Sequence, residues 1–299
     1  MVWMLDTDAL NSGLSLVALV VSLLMCGLAM GYTGQGRERT AFCGMCLANA
    51  AMSAGDCLSW AAPLPLSDEM MGLVLAGNFV FNAATAILFW CFSAYLHAVL
   101  ERPGRGQGLR PRYPLERPAR VLMVALLLGC VASIFAPVFF TVRANTRYFR
   151  GDLFWLMQAL VILLYAQSLL VIVANRACVS RGELLALLSY VLLPTVADIV
   201  QSLAFGFAFI NLAIMSSLVL IFMGVHQRRE LEAAGGERRV AEGRLALIEA
   251  RIDPEELYAR LDDARAALNE DPSLAARKIG ETSRWLRARM HDMRAADHK

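Results

Sequence analysis

Leu184-LALLSYVLLPTVADIVQSLAFGFAFINLAIMSSLVLIFMG-Val225 is the stretch on which the fold turns. A helix rises 1.5 Å per residue, so this apolar run is far longer than one crossing of about 30 Å of hydrocarbon needs. Ala204-Phe205-Gly206 offers a turn within it, and the run reads as two spans, 184 to 203 and 207 to 225. An odd or an even number of crossings hangs on that split, and with it the side on which everything after His226 lies.

Working outward, five more runs are long and apolar enough to cross: 13 to 33, 40 to 61, 71 to 99, 119 to 141 and 153 to 175. The 299 residues are 58% hydrophobic with a mean hydropathy of +0.51, and the charge gathers in the last quarter. One soluble domain is thereby excluded. The reading is an all-α integral membrane protein: an extracellular N-terminus (1–12), a seven-helix transmembrane sensor-like domain (13–226), a linker (227–243) and a cytoplasmic helical hairpin (244–299). Asp6 and Asp8 stand where a cleavable signal peptide carries positive charge, so the first helix is expected to stay. Cysteines 26, 43, 46, 57, 91, 130 and 178 lie almost wholly in apolar runs and read as packing residues. The Cys43-Gly-Met-Cys46 pair has no second pair, and neither a metal nor a cofactor is expected.

Basic residues in short loops are retained on the cytoplasmic side. With the N-terminus outside, Arg37, Arg39, Arg102, Arg105, Arg110, Arg112, Arg117, Arg120, Arg176 and Arg181 fall inside. Arg143, Arg147 and Arg150 are the exceptions, clustered between the fourth and fifth spans. The six arginines from Arg102 to Arg120 fix topology or grip anionic lipid headgroups.

Polar side chains within the spans mark bundle interiors or cavities, because they are costly in hydrocarbon. Asp56, Asn78, Asn82, Gln158, Asp198, Gln201 and Asn211 share one depth in the outer half of the seven-span arrangement. They form either a ligand pocket rimmed by Arg143, Arg147 and Arg150 or a set of hydrogen bonds that holds the helices together. The arginines point to an anionic ligand or an acidic peptide. Transport or channel activity through Asp56 and Asp198 is the competing reading, with Pro194 able to break the sixth helix beside Asp198. Against it, the chain shows no inverted repeat.

Beyond His226 the sequence becomes charged, and Gly235-Gly236 interrupts it as a hinge or a loose linker. Leu245, Ile248 and Ile252, then Leu257, Leu261, Ala264 and Leu268, keep a three-and-four spacing that slips one residue at the Pro254 bend. Asp271 is a candidate N-cap with Pro272 at the first helical position. The second helix turns Leu274, Ile279, Leu286 and Met290 inward beside Trp285, with Arg277, Lys278, Arg284 and Arg287 outward. Fifteen basic and fifteen acidic residues follow residue 225, which argues against nucleic-acid binding. Two such helices bury too little apolar surface alone, so a dimeric four-helix bundle is expected.

Residues 244–261, RLALIEARIDPEELYARL, resemble the phosphoacceptor region of LytS/YehU-type sensor histidine kinases, whose pattern is roughly A-L-x-x-Q-I-N-P-H-F-L-F-N-x-L. Residues 269–287, NEDPSLAARKIGETSRWLR, are similar to the turn and second helix of that family. The family's phosphoacceptor histidine falls on Glu255 and its asparagine on Ala259, and no Gly-rich nucleotide loop occurs in the tail. A carboxylate at Glu255 lacks the nucleophilic nitrogen that accepts a phosphoryl group. The resemblance therefore implies a dimerisation hairpin without catalytic residues, acting as a homodimer or as a heterodimer with an intact sensor histidine kinase. A response regulator is a further implied partner. A kinase subunit completed by a separate ATP-binding chain is the alternative.

Overall fold

A computed structural model describes residues 7–31, 36–102, 111–203, 208–224 and 254–296. The chain divides into two compact units, Met1–His226 and Gln227–Lys299. In the first, helices α1 (Thr7–Gly31), α2 (Gly36–Ala61), α3 (Asp68–Leu100), α4 (Glu116–Phe135), α5 (Phe154–Ala174) and α6 (Arg181–Leu203) are each long and apolar enough to cross a bilayer. The seventh apolar segment forms α7, Phe209–Gly224, which is shorter and covers about 24 Å at the helical rise. The turn expected at 204–206 lies outside the described residues.

Helix α1 is inside out relative to one of a water-soluble bundle. In α1 the buried stripe is Asn11, Ser15, Ala18, Ser22, Met25, Cys26 and Ala29, spaced by threes and fours, while Leu16, Val17, Val20, Leu23, Leu24 and Leu28 face outward. Lipid tails are as apolar as leucine, so small and polar residues carry helix contacts in a membrane and large aliphatic ones meet lipid. Asn49 Nδ2 donates to Ser22 Oγ at 2.8 Å across the α1–α2 seam. Helices α2 and α3 approach backbone to backbone at Gly55 and Gly77, where a Cβ on Gly77 would lie 2.8 Å from the Gly55 carbonyl oxygen. The cysteines are all unpaired, and Cys26 and Cys43 each point their thiol at the other's carbonyl.

The structure is almost entirely helical, as expected, and corrects the fourth span by adding one short β-hairpin after it. Expected to run to residue 141, α4 ends at Phe135, just ahead of Pro137, which cannot continue a helical hydrogen-bond ladder. The apolar run then becomes strand β1 (Phe140–Arg143), paired antiparallel with β2 (Thr146–Arg150) around Ala144-Asn145. Phe140 is fully buried at the base of this hairpin, and Phe139 packs where Gly129 leaves room on α4. Leu66 N donates to Ala144 O at 2.7 Å, fastening the α2–α3 connection to the hairpin turn.

Contacts fix which helix ends lie together. The ends of α2 and α6 reach the hairpin through Arg147 to Ala62 O (2.8 Å) and Arg150 to Ser202 O (2.6 Å). The starts of α1 and α7 join the same end where Ala208 N donates to Asn11 Oδ1 at 3.1 Å. At the opposite end Arg102, just past α3, donates to Glu38 on α2 (Nε to Oε2, 2.8 Å) and to Glu183 on α6 (2.8 Å). The described arginines 37, 39, 102, 112, 117, 120, 176 and 181 all sit at helix ends or connections on this second side.

In the second unit, α8 (Pro254–Glu270) and α9 (Pro272–Ala296) form an antiparallel pair. Asp263 meets Lys278 at 2.6 Å, and Arg260 lies 4.8 Å over the Trp285 ring. Asp271 caps α9 as expected, accepting from Ser273 N at 2.8 Å, and these bonds to Ser273 hold its carboxyl below the usual carboxylate range. Pro254 is the first residue of α8, where a missing N–H costs nothing. The hinge Gly235-Gly236 and the residues leading into Pro254 lie outside the described residues.

The seam of this pair differs from the expected one. Ala264, Ala267, Ala275 and Thr282 are buried between the helices, whereas Leu261, Leu268 and Ile279 are 47, 57 and 50% exposed. Small residues let the two helices close up, and that closeness turns the larger aliphatic side chains away from the seam. Leu257, Leu274, Trp285 and Leu286 are half-buried.

Candidate functional site

A cavity of the first unit lies at its hairpin end. It has a volume of about 290 Å³ and is walled by α2, α3, α5, α6 and the hairpin. Six of the seven polar residues placed at one depth in the sequence line it: Asp56, Asn78, Asn82, Gln158, Asp198 and Gln201. Asn211 does not line the cavity, but its Nδ2 donates to Asp56 Oδ2 at 2.9 Å. Arg147 and Arg150 are wall residues. Arg143 is not, because it sits beside the turn, exposed, with its guanidinium 3.5 Å over the Phe149 ring.

Helical phase explains the convergence. Asn78 and Asn82 are one turn apart on α3, and Asp198, Gln201 and Ser202 keep the same spacing on α6. Pro194 lies within α6, yet the helix runs on to Leu203, so Asp198 projects from continuous helix and not from a break. The hairpin supplies the remaining wall. Asn78 Nδ2 donates to Arg147 O at 2.9 Å, which holds β2 across the helix ends.

The four charges of the wall are satisfied unequally. Arg147 pairs with Asp8 at 2.8 Å while donating to Ala62 O. Arg150 donates to Ser202 O and lies 4.6 Å over the Phe154 ring. Asp56 Oδ2 accepts from Ser15 Oγ at 2.7 Å as well as from Asn211. Asp198 accepts from Gln158 Nε2 at 3.4 Å, and that same amide also donates to Ser202.

Sequence reasoning missed the aromatic part of the wall, Trp60, Phe81, Tyr148 and Phe154. Period-two alternation in TRYFR was the available signal for Tyr148. It also missed the Arg102 cluster, although Glu38 and Glu183, single acids at the starts of apolar runs, marked it. In the tail, Glu255 and Ala259 are both exposed, one turn apart on α8. Among the described residues no group of three or more His, Cys, Asp or Glu side chains could hold a metal.

Compared with protein-family models, with characterised proteins and with solved structures, the chain matches none.

Proposed function

We propose that the protein is a membrane receptor or regulator that binds a ligand in the hairpin-end cavity and passes the change to a dimerising helical hairpin. The observation that carries this reading is the cavity itself: polar side chains from four helices and a strand converge on a space about 290 Å³ in volume. Asp56 and Asp198 also accept bonds from neighbouring helices, and the space lies beside those bonds. In this reading the seven apolar helices cross the bilayer, the hairpin end faces outward, and the arginine-rich end and the tail are cytoplasmic.

Output passes through residues 240–295, which pair with a second copy or with an intact sensor histidine kinase. Tyr258, Leu261 and Leu268 on α8 and Ile279 on α9 support the pairing, since they are exposed along helices whose own seam is made of alanines. Burying a leucine of this kind contributes about 1.5–3 kcal/mol, enough for a few such side chains to drive association. With Glu255 at the phosphoacceptor-equivalent position, the tail acts by contact and not by phosphoryl transfer.

A photo-reactive amino acid at position 261 of the full chain in native membranes tests this. We expect cross-linked dimers from position 261 and far fewer from position 266, which is exposed on another face of α8. Equal yields at both positions, or none at either, overturn the dimer. Solute flux in proteoliposomes that needs Asp56 and Asp198 and survives deletion of the tail replaces the receptor with a transporter.

A further inference from the structure

The charges in the cavity wall point to the chemical class of the ligand, and this inference rests on the receptor reading only for what binding would cause. Of the four charged side chains, three are held by close partners. Arg147 is neutralised by Asp8, Arg150 is spread over aromatic faces and a carbonyl, and Asp56 accepts two short hydrogen bonds on one oxygen. Among the described residues Asp198 has a single bond, of 3.4 Å, from an amide that it shares with Ser202. A carboxylate amid apolar walls is costly unless a countercharge or strong donors meet it.

Besides the polar side chains, the cavity lining carries aromatic and aliphatic ones, including Tyr148, Phe154, Met157 and Val161. Aromatic faces attract cations, and they do so more strongly where water is excluded. We propose that the cavity binds a small organic cation, with an ammonium headgroup on Asp198 and an apolar body along Phe154 and Phe81. An anionic ligand, which the arginines suggest when read from sequence alone, would set its charge beside Asp56 and Asp198. It would also have to take Arg147 from Asp8 and Arg150 from Ser202. The volume of about 290 Å³ limits the ligand to the small end of the usual range for binding pockets.

The test uses the full chain in lipid nanodiscs and three ligands of one shape: phenylethylammonium, neutral 2-phenylethanol and anionic phenylacetate. Calorimetric titration should show the ammonium binding at least about ten-fold more tightly than either isostere, the expected size of a charge-assisted contact. Asp198→Asn should erase that preference. Equal or tighter binding of the alcohol or the carboxylate overturns the proposal on the wild-type chain alone, however the variant folds. A preference retained in a folded Asp198→Asn variant overturns it too, as does the failure of phenylethylammonium and its N-methylated forms to bind saturably. Cross-linking at position 261 separates the two readings. Ammonium binding that leaves the cross-link yield unchanged removes the receptor function and keeps the ligand class. A yield that responds to phenylacetate alone does the reverse.

Discussion

Arg102 shows how much one side chain can carry in this bundle. It stands at the end of α3 with two nearly buried carboxylates, Glu38 and Glu183, and so ties three helices whose starting residues are far apart in the chain. Glu183 also accepts from Ser180 N at 3.0 Å, capping the entry to α6 while it holds Arg102. Removing the guanidinium would leave Glu38 and Glu183 without the cation that bridges them. We expect Arg102→Ala to cost about 3–5 kcal/mol of stability, the usual penalty for breaking a buried pair from one side. Arg102→Lys should recover only part, because an ammonium cannot fork to two carboxylates. Thermal unfolding of the purified chain in nanodiscs measures both, and an unchanged midpoint for Arg102→Ala would remove the cluster from the account. In sequence Arg102 was one arginine among six in a basic stretch, and only its through-space partners set it apart.

Among the elements, α2 and α3 form the most intimate pair, and the hairpin is the least legible. Gly55 and Gly77 allow the two helix backbones to touch, so a side chain at either position meets main chain and cannot simply rotate away. Gly77→Ala should therefore destabilise the bundle by about 1–3 kcal/mol, the range for overpacking a filled contact. Gly72→Ala, where a Cβ meets open space on the same helix, is the matched control. Unfolding midpoints of the two variants decide the matter, and equal midpoints would mean that the contact is slack. The hairpin escaped the sequence reading because Phe139 and Phe140 extend the hydropathy of α4 without a gap. Hydropathy reports burial and not backbone conformation, so Pro137 was the better guide to where the helix stops. In the tail, too, spacing alone did not fix the seam between the two helices. The three-and-four spacing of Leu261, Ala264 and Leu268 identified a helix, but alanines form the seam because only small residues let α8 and α9 approach.

At the scale of the whole first unit, the seven apolar helices alternate in direction, so the start of α1 and the end of α7 lie at opposite ends. The described arginines outside the hairpin gather at the end where α7 finishes, and the cavity sits at the end where α1 begins. On the proposed orientation, a cysteine replacing Ala144 at the hairpin turn, in a chain without native cysteines, should react with an impermeant maleimide on intact cells. A cysteine replacing Arg277 should react only after permeabilisation. The opposite pattern would invert the protein and move the cavity to the cytoplasmic side.

The six membrane-length helices, the capped turn at Asp271 and the grouping of six polar residues that line one cavity were legible in the sequence alone. They follow from hydropathy, spacing and local capping, which act along a few neighbouring residues. The long run from Leu184 to Val225 also divides as the sequence indicates, into α6 and a shorter α7. Tertiary structure alone decided that the polar set closes around a cavity with Asn211 behind it, and that Arg147 and Arg150 are engaged by the protein while Asp198 accepts one long bond among the described residues. The same holds for the alanine seam of the tail. These outcomes depend on distances between residues remote in the chain, and no local pattern encodes which donor reaches which charge first.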